Sequence, residues 1–166
     1  MTLLLALLIA VPAVVLSDEH QSQTTVGVGD PLPELSATTG RGKSSPIASM
    51  LGDRATVVAV HPGKGRWMTE ALLADLGPEV AKPYAGSGVN VIAVGVGRTG
   101  KVTAGVTALK ASENTVKAVL GAGRMPRVYV LDAEGKIVWF DLEYSISTRR
   151  ELRATLESLT SDEEQE

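Results

Sequence analysis

The stretch VVAVHPGKGRWMTEALLADL, residues 57–76, reads as three units in succession. Val57–Val60 belong to an apolar, β-branched run that starts at Ala55, the pattern of a strand buried on both faces. Pro62, Gly63 and Gly65 then break the run. Beyond Trp67, Leu72, Leu73, Leu76, Val80 and Tyr84 recur at helical spacing, and Gly77-Pro78 is placed to kink or divide that helix. Between strand and helix lie His61, Lys64, Arg66 and Trp67, none of them an evident nucleophile.

Working outward, residues 89–96 (VNVIAVGV) form a second buried strand. In the segment 102–120 only Glu113–Leu120 keeps a clear helical pattern. Residues 127–132 (RVYVLD) and 136–141 (KIVWFD) are strands joined by Ala133-Glu134-Gly135, a hairpin spacing. A last helix is expected from about Thr148, with Thr148 and Glu151 as a capping box and Leu152, Leu156 and Leu159 as its buried stripe. Upstream, VGVGDPLPELSATTGRGKSSPIASMLGD is dense in Gly, Pro and Ser and reads as loop with a short hairpin. The order is hairpin, β, α, β, α, β-hairpin, α. This is an α/β domain with a parallel pair at the centre of its sheet and an antiparallel edge. Val57, Val58, Val60, Ile92, Val94, Val128 and Val130 are its expected sheet core.

The chain has 166 residues, room for one domain with a substantial core. A hydrophobic share of 44% makes it globular rather than disordered. A net charge of −3 and 4% aromatics argue against a nucleic-acid binder, which needs basic surface and stacking platforms. Residues 3–16 are uniformly apolar but too short to span a bilayer comfortably, and the acidic Asp18-Glu19 follows at once. Residues 1–17 therefore read as a signal peptide and imply export, periplasmic or extracellular, although no Lys or Arg precedes the run. A retained N-terminal anchor and a buried N-terminal helix are the alternatives. Residues 18–27 read as a linker, 28–159 as the domain and 160–166 as an acidic tail. The chain has no cysteine, which excludes both disulfide staples and thiol chemistry.

Two phosphate-binding patterns overlap in VGVGRTGKVT, residues 94–103. Gly95, Gly97 and Gly100 satisfy G-x-G-x-x-G, and Gly95 to Lys101 satisfies most of a P-loop. The residue after Lys101 is Val102, where Mg²⁺ binding needs Ser or Thr, so nucleotide binding is the weaker reading and no cofactor is expected. The two histidines, His20 and His61, are too few and too far apart for a metal site. Asp141 and Glu143 are spaced like a carboxylate pair, but a solvated strand face is the favoured reading. Ser145, Ser147 and Thr148 have no base nearby in sequence.

Taken together, the chain from about Val26 to Leu159 resembles the redoxin branch of the thioredoxin-like family, which includes peroxiredoxins and exported thiol–disulfide oxidoreductases. VGVGDPLPEL (26–35) looks like that family's G-x-x-x-P opening. Residues 57–76 look like its active-site strand, loop and helix, with Glu70 where the family often has an acid. GRMPRVYVLDAEGKIVWF (123–140) is similar to its most typical segment, a proline before a strand and then a hairpin with D-x-x-G-K. The resemblance implies a three-layer sandwich around a mixed sheet, closed by a C-terminal β-hairpin and helix. It also implies that Met125-Pro126 is cis and lies beside the active-site loop. Where the family has C-x-x-C, this chain has Lys64, Gly65, Arg66 and Trp67. The resemblance therefore implies a degenerate site, in a non-catalytic module that binds a peptide or protein partner or serves a structural role; Lys64 and Arg66, two positive charges on an acidic chain, point to an extended or acidic peptide segment of another protein. A redoxin-lineage enzyme working without its own cysteine, and a nucleotide-binding domain using residues 95–101, are the alternatives.

Overall fold

The computed structural model describes residues 23–63 and 67–161. The expected signal peptide, the first half of the linker, Lys64, Gly65 and Arg66, and residues 162–166 lie outside the described residues. The elements are β1 (Ser36–Thr39), β2 (Ser44–Pro46), a 3-10 turn (Ile47–Met50), β3 (Ala55–Pro62) and α1 (Trp67–Asp75). A π-helical turn (Leu76–Ala81), β4 (Val89–Val96), β5 (Thr107–Ala111) and α2 (Glu113–Leu120) follow. The chain closes with β6 (Arg127–Asp132), β7 (Ile137–Asp141) and α3 (Ile146–Thr160). Among the described residues one mixed sheet runs in the order β2-β1-β5-β4-β3-β6-β7. β3 pairs β4 in parallel and β6 antiparallel, so the apolar run of residues 55–62 is an interior strand.

Strand alternation divides the core in two. Val58, Val60, Ile92, Val94, Tyr129 and Phe140 face α2, where Val116 and Leu120 meet them. Val57, Ala59, Val91, Ala93, Val128, Val130 and Trp139 face the other way, toward Leu72, Leu76, Leu152 and Leu156 of α1, the π turn and α3. Helices thus cover both faces, a three-layer arrangement. All seven expected sheet-core residues are buried in neighbouring strands.

The proline in Gly77-Pro78 redirects rather than ends the helix. Pro78 has no N–H to donate, and the helix passes into a π turn in which the Lys82 N–H reaches Gly77 O at 2.8 Å. A Cβ on Gly77 would meet the Thr103 side chain at 1.9 Å, so glycine is required there for close approach.

Four expectations need correction. β5 went unread within residues 102–120. It pairs in parallel with β4 and antiparallel with β1. The α3 cap lies three residues earlier than expected. Ser145 Oγ accepts from the Thr148 N–H at 3.3 Å, and Thr148 Oγ1 accepts from the Ser145 N–H at 3.0 Å. Glu151 instead accepts from Trp139 Nε1 at 3.4 Å. Asp141 is not on a solvated face. It is buried, and its Oδ2 accepts from the Thr148 hydroxyl at 2.7 Å. Finally, the end of the expected linker is packed on the domain: Val26 is buried, and Thr25 Oγ1 donates to Val119 O at 2.8 Å.

The segment after Val26 straps the outer strand. Gly29 N–H donates to Ile137 O at 2.8 Å, Ile137 N–H to Asp30 O at 2.9 Å, and Leu32 N–H to Gly135 O at 3.0 Å. Gly135, at φ +81°, closes the β6–β7 hairpin, with Asp132 Oδ1 accepting from the Glu134 and Lys136 N–H groups at 3.1 and 2.8 Å. No helix among the described residues is long and apolar enough to cross a membrane.

Candidate functional site

β3 and β6 deliver the two halves of the candidate site to the same end of the sheet. Val60 pairs with Arg127, the first residue of β6. Two residues beyond this pair, Pro62 and Met125 line one cavity of about 460 Å³. Gly63, Val96, Glu113, Lys117 and residues 121–124 complete its wall. The Met125–Pro126 peptide is cis. Met125 is half-buried and Pro126 buried. Trp67, the first residue of α1, is 72% exposed, so it is no core residue. Of the sequence-derived site, the structure therefore describes Trp67, Met125 and Pro126. It brings Met125 beside the exit of β3, from which the loop carrying Lys64, Gly65 and Arg66 departs.

A residue that the sequence reading passed over holds this wall. Arg127 is fully buried. Its Nε donates to Arg124 O at 2.8 Å, Nη2 to Gly121 O at 2.9 Å, and Nη1 to Leu120 O. The charge is met by carbonyls, two of them at the negative end of the α2 dipole. Gly121, at φ +80°, turns the chain out of α2 so that these oxygens converge. On α2, Lys117 Nζ pairs with Glu113 at 2.8 Å, and this contact lowers the Glu113 pKa.

On the opposite side of the β3 exit, His61 is 1% exposed. Its Nδ1 lies 3.1 Å from Pro62 O. A carbonyl only accepts, so Nδ1 carries the proton and Nε2 is a bare acceptor. Burial lowers the pKa from the ordinary 6.5, opposed by a smaller effect of the Pro62 carbonyl. Between the unfolded and folded values the unfolded chain holds more protons, so stability from the neutral ring is full above 6.5 and lost on acidification. Unfolding free energy is expected to fall below that pH by up to about 1.4 kcal/mol per unit from this group. His61→Gln should remove that component from urea midpoints measured between about pH 5 and 7. Identical pH slopes in both proteins would show that the ring titrates normally.

The Gly-rich loop loses its phosphate-binding reading. After Gly100-Lys101 the chain enters β5, a strand, so no helix N-terminus points at the loop. Gly95 is a packing glycine, since a Cβ there would stand 1.9 Å from Arg98 O. A further polar cluster joins α3 to α1. Tyr144 OH donates to Asp75 Oδ2 at 2.9 Å, and Arg149 pairs with the same oxygen at 2.9 Å while lying 5.2 Å from the Tyr144 ring centre. Burial, then Asp75, raise the Tyr144 pKa. These groups satisfy one another and fasten the two helices.

The architecture has close counterparts among solved structures. A Bacteroides thetaiotaomicron structure assigned as a protein disulfide isomerase superposes with a TM-score of 0.69 at 14% identity, over 84% of this chain and 94% of its own. The thioredoxin domain of a thiol-disulfide oxidoreductase from Bacteroides vulgatus superposes at 0.58 and 14%, over 82% and 100%. The fold is thioredoxin-like. A third similar structure, assigned as the thiol:disulfide interchange protein DsbE of Chlorobium tepidum, gives 0.65 at 13%, over 82% of this chain and 100% of its own. No family model matches the sequence, and no curated protein matches it either. The chain contains no cysteine, so it has no thiol of its own for thiol–disulfide chemistry.

Proposed function

We propose that this is a thioredoxin-like domain of redoxin lineage that has lost thiol chemistry and holds an extended, acidic peptide segment of a partner protein. The cavity shared by Pro62, Gly63 and Met125 carries this reading. Residues 121–125, two of them glycines, form one wall, and extended peptides gain affinity by pairing with exposed backbone; the Glu113 carboxylate in the lining is already paired with Lys117. Lys64 and Arg66 add two positive charges to the adjoining loop of a chain that is acidic overall. The exposed Trp67 ring is available as an apolar anchor. The apolar run at residues 3–16 supports export as the setting.

Two measurements test this. The full chain is expected to reduce no insulin disulfide and consume no hydroperoxide above the buffer rate. Turnover lost on mutation of residues 61–67 would replace the binding reading with an enzymatic one. A panel of extended acidic peptides is expected to contain binders whose affinity falls with salt and by several-fold in Lys64→Ala/Arg66→Ala. Affinity indifferent to both would move the interaction elsewhere.

A further inference from the structure

The peptide groove does not end at the β3 exit. Pro62 and Gly63 line it on one side, and they also line a second cavity of about 450 Å³ between α1 and the loop joining β4 to β5. Gly63 has no side chain to wall the two apart, and it cannot carry one. A Cβ there would stand 2.5 Å from Val96 O and 2.6 Å from Arg98 Cγ. The Arg98 stem therefore lies against this boundary, with Nε donating to Gly63 O.

Each cavity carries its own cations. Lys117 and Arg124 line the groove, and Arg98 and Lys101 line the second cavity. All four residues are exposed. Lys117 is paired with Glu113 at 2.8 Å, but Arg98, Lys101 and Arg124 form no ion pair among the described residues. The carboxylates in the two linings are Glu113, already paired, and Glu70. Positive charge is thus in excess on both sides of Gly63, on a chain whose net charge is −3. Unpaired cations around a concave surface draw in a ligand of opposite sign, and they fix its register more than they add raw affinity. A ligand with a single acidic cluster satisfies one side only. An extended segment that crosses Pro62-Gly63, with acidic residues before and after the crossing, satisfies both. At the crossing itself the shared wall is a proline and a glycine, without charge, so neutral residues fit there.

We propose that the partner segment runs from the groove across Pro62-Gly63 into the second cavity. It carries two acidic clusters separated by neutral residues, one met by Lys117 and Arg124 and the other by Arg98 and Lys101. This rests on the reading of the groove as a peptide site, and it specifies the class of sequence that the site selects.

The test is fluorescence anisotropy on the full chain with two labelled peptides of identical composition. In one, two Glu pairs flank a Gly/Ser spacer; in the other, all the Glu residues are gathered at one end. The split peptide is expected to bind several-fold more tightly. Arg98→Gln/Lys101→Ala should weaken the split peptide about fivefold and the gathered peptide little. Lys101→Ala alone, which leaves the Arg98–Gly63 hydrogen bond in place, should weaken the split peptide about twofold. Both residues are exposed, so the core is untouched. Equal affinity for the two peptides, or a split-peptide affinity unmoved by the second-cavity substitutions, would overturn the proposal and leave the groove as a site for one acidic cluster. Equal losses for both peptides would make this end of the sheet a general polyanion surface and overturn it as well. Failure of both peptides to bind would overturn the peptide reading itself, and this proposal with it.

Discussion

Arg127→Ala is expected to lower the unfolding free energy by about 3–5 kcal/mol, a large part of the stability of a domain this size. The guanidinium is fully buried and donates to the carbonyls of Leu120, Gly121 and Arg124. Truncation leaves those oxygens without their donor and opens a void in the wall of the peptide groove. Arg127→Lys keeps the charge but replaces a planar fork by a point, so it should recover only part of the loss. Urea unfolding of the three proteins gives the comparison. A change below about 1 kcal/mol for Arg127→Ala would show that the carbonyls find other donors. Because these carbonyls belong to the 120–124 turn, peptide affinity should fall even at temperatures where the variant remains folded.

Trp139→Ala is expected to cost a similar amount, about 3–5 kcal/mol. Trp139 lies on β7, 1% exposed, within the cluster that includes Leu152 and Leu156 of α3. Its Nε1 also donates to Glu151 at 3.4 Å. Deleting the indole uncovers the inner face of the closing helix and leaves the Thr148–Asp141 hydrogen bond as its polar tie to the outer strand. Trp139→Phe, which keeps most of the apolar contact, should lose much less. Hydrogen exchange provides the local check: in Trp139→Ala, α3 amides should lose protection before those of β3 and β4. Uniform loss across the domain would mean that α3 and the central strands open as one unit.

These two residues mark where sequence reading stops. β3 and β4 were legible because both their faces are covered, which leaves an uninterrupted apolar run. The β6–β7 hairpin was legible because Asp132 and Gly135 carry the turn chemistry locally. β5 was not. It has only five residues, TALKA, with Thr107 and Lys110 exposed, and it is held by neighbours on both sides rather than by its own pattern. The α3 cap was ambiguous because Ser145 and Thr148 each start a capping pattern. The choice is a tertiary one, since the Thr148 hydroxyl is engaged by Asp141 of β7. Arg127 reads in sequence as an ordinary polar strand start. Its role exists only because the fold brings the end of α2 to it. His61 stands out in the sequence, but its near-complete burial is decided by the fold.

The strap that residues 29–32 lay along β7 has a consequence for the protein in crowded solution. An outer strand with free N–H and C=O groups is a template on which another chain can add, and repeated addition ends in fibrils or precipitate. On this side the chain's own Gly29–Leu32 segment occupies the start of that strand, at residues 135–137. On the other side the outermost strand, β2, is three residues long and ends in Pro46, which has no N–H to offer. At one border the strap shortens the stretch of β7 open to pairing, and at the other β2 is too short to offer a long ladder. With no cysteine to crosslink misfolded copies, the strap and the shortness of β2 are the chain's own guards against self-association through its sheet.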